Sequence, residues 1–228
     1  MVVTTFDNQL SRLKDDLSTQ GNRVVEVTLR AVESYFERDQ AKASSVVNGD
    51  SIIDRVDVQI ERACITLLAL GETQEHAIRS VLTIVKVNNE LERIADLAVN
   101  IAEVTLDSGQ TTEVVPNTFR VMANSVIGML RDANQALAKV DTRLAERVLA
   151  FDDTVDRFRT EISLDAQKKV ASGEFGVKFA FRLMSVVRSL ERIADHSTNI
   201  CEQLIYLETG HIVRHLPQGW SKPAPPEL

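Results

Sequence analysis

Apolar or small residues recur every three or four positions along most of the chain, beginning with Leu10, Leu13, Leu17, Val24, Thr28, Ala31 and Tyr35. That period is the mark of an amphipathic α-helix, and the alternation that marks a half-buried strand is nowhere sustained. Prolines stand at Pro116 and then only at Pro217, Pro223, Pro225 and Pro226, so two stretches of about a hundred residues contain none. Long helices need such stretches, because proline removes a backbone donor and clashes with the preceding turn. Glycines at 71, 109, 173 and 210 fall near the remaining breaks. Start and stop signals predict six helices. The first runs from about Phe6 to Arg38; the second is capped by Asp39 and ends before Gly71. The third runs from about Thr73 to Leu106, and the fourth follows a polar segment through Asn117 and ends near Lys139. The fifth is capped by Asp141 and ends by Gly173, and the sixth runs from about Glu174 to Glu208 with Gly210 as its cap. The fold class expected is all-α, with short connections that make successive helices antiparallel.

The chain also repeats itself. The thirteen residues Leu91 to Glu103 recur as Leu190 to Glu202 with nine positions identical. A weaker match displaced by 102 residues pairs Asp39, Ala43, Val46, Asp50 and Asp54 with Asp141, Ala145, Val148, Asp152 and Asp156. The architecture expected is two tandem three-helix bundles, residues 1–110 and 111–216, followed by a Pro-rich tail at 217–228 that contains Trp220. Each half is large enough to bury a core of its own.

On a helical wheel at about 100° per residue, the repeated segments separate cleanly. Glu92, Asp96, Asn100 and Glu103 fall on one side of the third helix, and Ile94, Leu97, Ala98 and Ile101 on the other. In the second helix Asp50, Asp54, Asp57 and Glu61 share an arc opposite Ile53, Val56, Ile60, Ala63 and Leu67. The second half repeats the pattern with Asp152 and Asp156 on the fifth helix and Glu191, Asp195, Asn199 and Glu202 on the sixth. Acidic neighbours four apart repel by a few tenths of a kcal/mol, and a solvated face usually mixes signs. Spacing alone therefore leaves two readings: a plain solvated face, or carboxylates that converge on a groove and are neutralised by cations. Asp, Glu and Asn oxygens suit hard cations such as Mg²⁺, Mn²⁺, Ca²⁺ or iron. No His or Cys stands at the repeated positions, which disfavours a zinc finger or a copper site. Arg93 and Arg192 flank the stripes at equivalent places and are expected to screen them through salt bridges.

Composition narrows the partners. Lys plus Arg is 26 against 33 for Asp plus Glu, a formal charge of −7, so general nucleic-acid binding is not expected. The longest uncharged apolar run, Val121 to Leu130, falls well short of the roughly 20 residues of a membrane-spanning helix. The first residues show no basic region followed by an apolar one, and two cysteines make no disulfide framework, so a cytoplasmic protein is the expectation.

The doubled Leu-Glu-Arg-Ile-Ala-Asp-x-x-x-Asn-Ile-x-Glu, with Asp-x-x-x-Asp on the helix before it in each half, resembles the PhoU family. The resemblance runs from about Phe6 to His215 and includes the Tyr206-Leu207-Glu208-Thr209-Gly210 ending. It implies a cytoplasmic, usually dimeric regulator without catalytic activity. Such a protein links the ATPase of a phosphate ABC transporter to a sensor histidine kinase and represses the phosphate-starvation response when phosphate is plentiful. Some members carry iron or zinc clusters on their acidic stripes; magnesium or manganese would suit the same oxygens. Carried over, the metal positions are Asp50, Asp54, Glu92, Asp96 and Asn100 in one half and Asp152, Asp156, Glu191, Asp195 and Asn199 in the other. One departure is visible: where many members have Pro-x-x-x-Asp-Leu-Arg, this chain has Thr73 to Arg79, with the basic residue kept and the aspartate replaced by Ala77.

Overall fold

A computed structural model describes residues 5–71, 74–109, 113–211 and 213. The Pro-rich tail with Trp220, His215, Thr73 at the expected start of the third helix and the first four residues lie outside the described residues. Among the described residues there are six helices: α1 (Thr5–Glu37), α2 (Gln40–Leu68), α3 (Glu75–Asp107), α4 (Asn117–Lys139), α5 (Thr142–Ala171) and α6 (Val177–Thr209). None is long and apolar enough to cross a membrane.

The α1–α2 and α4–α5 turns are built alike. Arg38 and Val140 are left-handed, with φ of 57° and 55°. The amide of the next residue reaches back across the turn, Asp39 N to Ser34 O and Asp141 N to Ala136 O, both 2.9 Å. The same aspartate then caps the next helix, Asp39 accepting from Lys42 N at 2.9 Å and Asp141 from Leu144 N at 3.0 Å. One residue thus closes one helix and opens another, which explains why the two repeats share it. Replacing Asp39 by Ala is expected to cost about 1 kcal/mol, read as a lower melting temperature in a thermal scan.

α6 starts three residues later than the sequence suggests, the largest displacement of the six starts. The expected start at Glu174 gives way to Val177 because Gly173 turns left-handed (φ 79°) and Phe175 folds back under the helix. Phe175 is 4% exposed and its ring lies 4.8 Å from that of Phe179, edge to face. Burying this ring outweighs one more helical turn.

Helices α3 and α6 form the centre. Each has fourteen buried residues, against six on α2 and seven on α5, so α2 and α5 are the outer helices. Each half is a three-helix bundle, and the halves join along α3–α6 and α1–α4 through one continuous hydrophobic core. α3 and α6 run antiparallel, and a cation seals each end. Arg79 Nη1 donates to Leu207 O at 3.4 Å, while its guanidinium lies 5.6 Å over the Tyr206 ring and pairs with Glu75. Glu75 thus supplies Arg79 with a carboxylate partner in a segment where Ala77 replaces the aspartate. At the other end Arg182 donates to Asp107 Oδ2 and Ser108 O, both 3.0 Å. Mid-seam, His196 Nδ1 meets Glu90 Oε2 at 2.6 Å and Asn199 Nδ2 donates to the same oxygen at 3.1 Å.

Candidate functional site: two acidic helix-pair stripes

The acidic arcs lie where an outer helix packs on a central one. Ile53, Ile60 and Leu67 turn α2 inward, at 0–2% exposure, and this rotation presents Asp50, Asp54, Asp57 and Glu61 at the groove with α3. The pairing is antiparallel and follows from which charges act on which. Asp96 and Asp54 raise the proton affinity of Asp50, beyond the larger effect of burial. Burial first, and then Asp96, Asp57 and Asp54, raise that of Glu92 against a lowering by Arg93. Further along, Asn88 Nδ2 donates to Asp57 Oδ1 at 2.7 Å and to Asp57 O at 3.0 Å. Burial, Glu61 and Asp54 hold Asp57 above the ordinary carboxylate range. Asp50 Oδ1 is buried without a hydrogen-bond partner among the described residues.

The second stripe converges in the same way on α5 and α6. Burial, then Asp195, Asp156, Asp153 and Glu191, push Asp152 up to about 6. Desolvation and Asp156 raise Asp195, against His196, Arg192 and Arg159. Glu191 is raised by burial, with Arg159 pulling the other way through an ion pair of 3.2 Å between Arg159 Nε and Glu191 Oε1.

The repeats are therefore not electrically equal. With the 102-residue displacement of α2 onto α5, Arg159 stands where the first half has Asp57. Among the described residues the one cation paired with the first stripe is Arg93, whose Nε lies 3.5 Å from Glu92 Oε2. In the second, Arg159 makes the salt bridge expected of Arg192, which acts on Asp195 only through its charge. Arg192 makes no ion pair among the described residues and lies in the α3–α6 groove with Asn100, Glu103 and Arg188. The two asparagines also face the seam between the central helices: Asn100 lines that groove, and Asn199 is bonded to Glu90 across it. Helical spacing placed Asn100 and Asn199 at the edge of the arc; only the packing shows that the α3–α6 seam claims that edge. Arg159 was legible in the repeat alignment as the one charge reversal between matching stripe positions.

The donor set suits a hard cation: carboxylate oxygens, held partly desolvated and against one another's charge, with one buried oxygen unpaired. Among the described residues no group of three His, Cys, Asp or Glu side chains already lies close enough to hold a single ion, so binding requires the carboxylates to swing inward from these rotamers.

The family model described as the PhoU domain matches the chain twice, over residues 17–105 and 119–204. The phosphate-specific transport system accessory protein PhoU homolog 1 of Thermotoga maritima is 31% identical over 216 residues, 94% of this chain and 93% of that protein. The corresponding homolog of Aquifex aeolicus is 33% identical over 208 residues, 91% and 94% of the two chains. The crystal structure of the phosphate transport system regulatory protein PhoU from Streptococcus pneumoniae superposes with a TM-score of 0.86 at 27% identity, over 92% of this chain and 99% of that one. That of PhoU from Pseudomonas aeruginosa gives a TM-score of 0.86 at 28% identity, over 91% and 100%.

Proposed function

Because the chain belongs to the PhoU family, we propose that it is an accessory protein of the phosphate-specific transport system, a regulator with no catalysis of its own. It joins the ATPase subunit of the phosphate ABC transporter to a sensor histidine kinase and keeps the kinase quiet while phosphate is plentiful. It works in the cytoplasm as a homodimer and meets the membrane through these partners. The observation that carries this reading is the family likeness over both repeats, at nearly the full length of relatives named for phosphate transport. The test is capture of the transporter ATPase and the kinase from membranes by the tagged chain, together with a deletion strain. Both contacts and constitutive starvation signalling are expected; neither contact, with normal signalling, would sink the reading.

The acidic stripes support a second element of the proposal. Asp50, Asp54, Glu92 and Asp96 would hold a hard cation in one half, and Asp152, Asp156, Glu191 and Asp195 in the other, with Asn100 and Asn199 at the margins. Such an ion supplies positive charge that offsets the repulsion among these carboxylates. The chain's own part is to hold the carboxylates desolvated on two rigid helices, so that the surface presented to partners changes charge with occupancy. The candidate ions are iron, zinc, magnesium and manganese. Protein purified without chelator is expected to carry metal by elemental analysis, and an Asp96→Ala/Asp195→Ala variant to carry little. Equal content in the two would remove the stripes as the site and leave the adaptor role standing.

A further inference from the structure

A cavity of about 230 Å³ opens where the two repeats meet. Its walls come from the α1–α2 turn, the end of α3 with Ser108 and Gly109, Glu113 and Val115 before α4, and the start of α6, and none of these residues belongs to the acidic stripes. Tyr35, Arg38, Glu113, Gly176, Lys178 and Arg182 carry its polar chemistry.

α6 begins at this cavity with Gly176, which has no side chain to cap it. Ala180 N is bonded to Gly176 O at 3.0 Å, so the amides of the three residues before it precede the helical ladder. Unpaired first-turn amides and the positive end of the helix dipole favour an anion. Glu113 already illustrates this preference: its Oε1 accepts from Gly176 N at 2.5 Å.

A second observation is independent of the helix end. Tyr35 is only 8% exposed, its ring packed against Phe36 and Phe119 with centroids at 6.3 and 5.6 Å. Its hydroxyl takes no hydrogen bond among the described residues, although the side chain lines the cavity. Burial pushes Tyr35 up to about 12 against the pull of Arg38 and Arg182, so the hydroxyl is a neutral donor set between two cations. The ring is buried while the hydroxyl opens on the cavity, so a ligand there meets a donor with no protein partner to give up. Arg182 is fixed in place by Asp107 and Ser108 O, and Arg38 Nη2 donates to Glu113 O at 2.7 Å. Lys178 is exposed at the mouth and makes no ion pair among the described residues.

We propose that this cavity binds one phosphate group that still carries a proton, whether of inorganic phosphate or of a small phosphate monoester. Tyr35, Lys178 and the first-turn amides of α6 donate to its oxygens, and the Glu113 carboxylate accepts the phosphate's own O–H. Sulfate, fully ionised at neutral pH, has no proton to give that carboxylate and is met by repulsion instead. The inference rests on the cavity and stands without the regulatory role.

The test is calorimetric titration of the full chain with inorganic phosphate and, separately, with glycerol phosphate and sulfate. One saturable site per chain is expected for at least one phosphate source, with sulfate much weaker. Tyr35→Phe keeps the ring packing and Lys178→Ala removes an exposed side chain, so both variants should fold and melt like the parent. Each is expected to weaken phosphate binding roughly tenfold, while Glu113→Gln should erode the preference for phosphate over sulfate. Tighter binding of the free ion or of the monoester identifies the source, and either result supports the site. No saturable binding of either, affinity unchanged in both Tyr35→Phe and Lys178→Ala, or sulfate bound as well as phosphate would overturn it.

Discussion

Replacing Gly21 by leucine is expected to lower stability by about 3 kcal/mol through overpacking of the α1–α4 seam. For a chain of this length that corresponds to a fall in melting temperature of roughly 6–12 °C. Gly21 is buried on α1, and a β-carbon there would overlap the Asn134 carboxamide and lie 2.7 Å from its Cγ. Asn134 cannot move aside cheaply. It is 6% exposed, and its Nδ2 donates to Asn22 Oδ1 at 2.8 Å across the seam. Displacing it leaves buried amide groups unpaired in addition to the steric strain. Gly49 and Gly128, also inside helices, meet nothing within 4 Å of a built β-carbon. Alanine at either is expected to stabilise by up to about 1 kcal/mol, since helical glycine costs backbone entropy. Differential scanning calorimetry of the three variants separates the cases. A Gly21→Leu protein that melts with the parent would mean that the close α1–α4 approach does not hold the halves together.

The second expected result concerns the pH dependence of metal-free protein. Asp152 titrates near 6 in the folded chain, whereas an unfolded aspartate titrates near ~3.9. Between these values the folded state binds more protons than the unfolded one, so stability increases as pH falls through this window. Asp50, Asp57, Glu92, Glu191 and Asp195 are shifted in the same direction and reinforce the trend. Discounted for partial solvent exposure, Asp152 alone costs about 1.5 kcal/mol at neutral pH. Asp152→Asn should recover much of this, raising the melting temperature at pH 7.5 and flattening the gain on acidification. Thermal scans from pH 7.5 to 5 in chelator make the check; a parent protein that loses stability over that range would contradict the mutual repulsion of the stripes. Divalent cation added at neutral pH should stabilise the parent more than the variant, because the cation and the proton relieve the same charge.

These results draw on features that differ in how far they could be read from the chain. Five of the six helices begin within about two residues of their signals, because proline, glycine and Asp39- or Asp141-type caps act on their own few neighbours. α6 is the exception: Gly173 is a local signal, but the choice of Val177 over Glu174 depends on burying Phe175 against Phe179. The carboxylate arcs were legible from a helical wheel, since each lies opposite its own helix's apolar face. The grouping of Asn100 and Asn199 with them was less secure, because a wheel carries no information about which neighbour takes the edge of a stripe.

The sequence by itself determined the helices, the duplication and which side chains share a face. All three follow from local period, local capping and self-similarity. Only the tertiary structure decided what those faces meet: Asp57 with Asn88 31 residues away, Arg182 with Asp107 at 75 and His196 with Glu90 at 106. It also decided that Tyr35, Lys178 and the start of α6 enclose one cavity. The register between helices is set by how whole cores interlock, and no short window of the chain contains both sides of that fit.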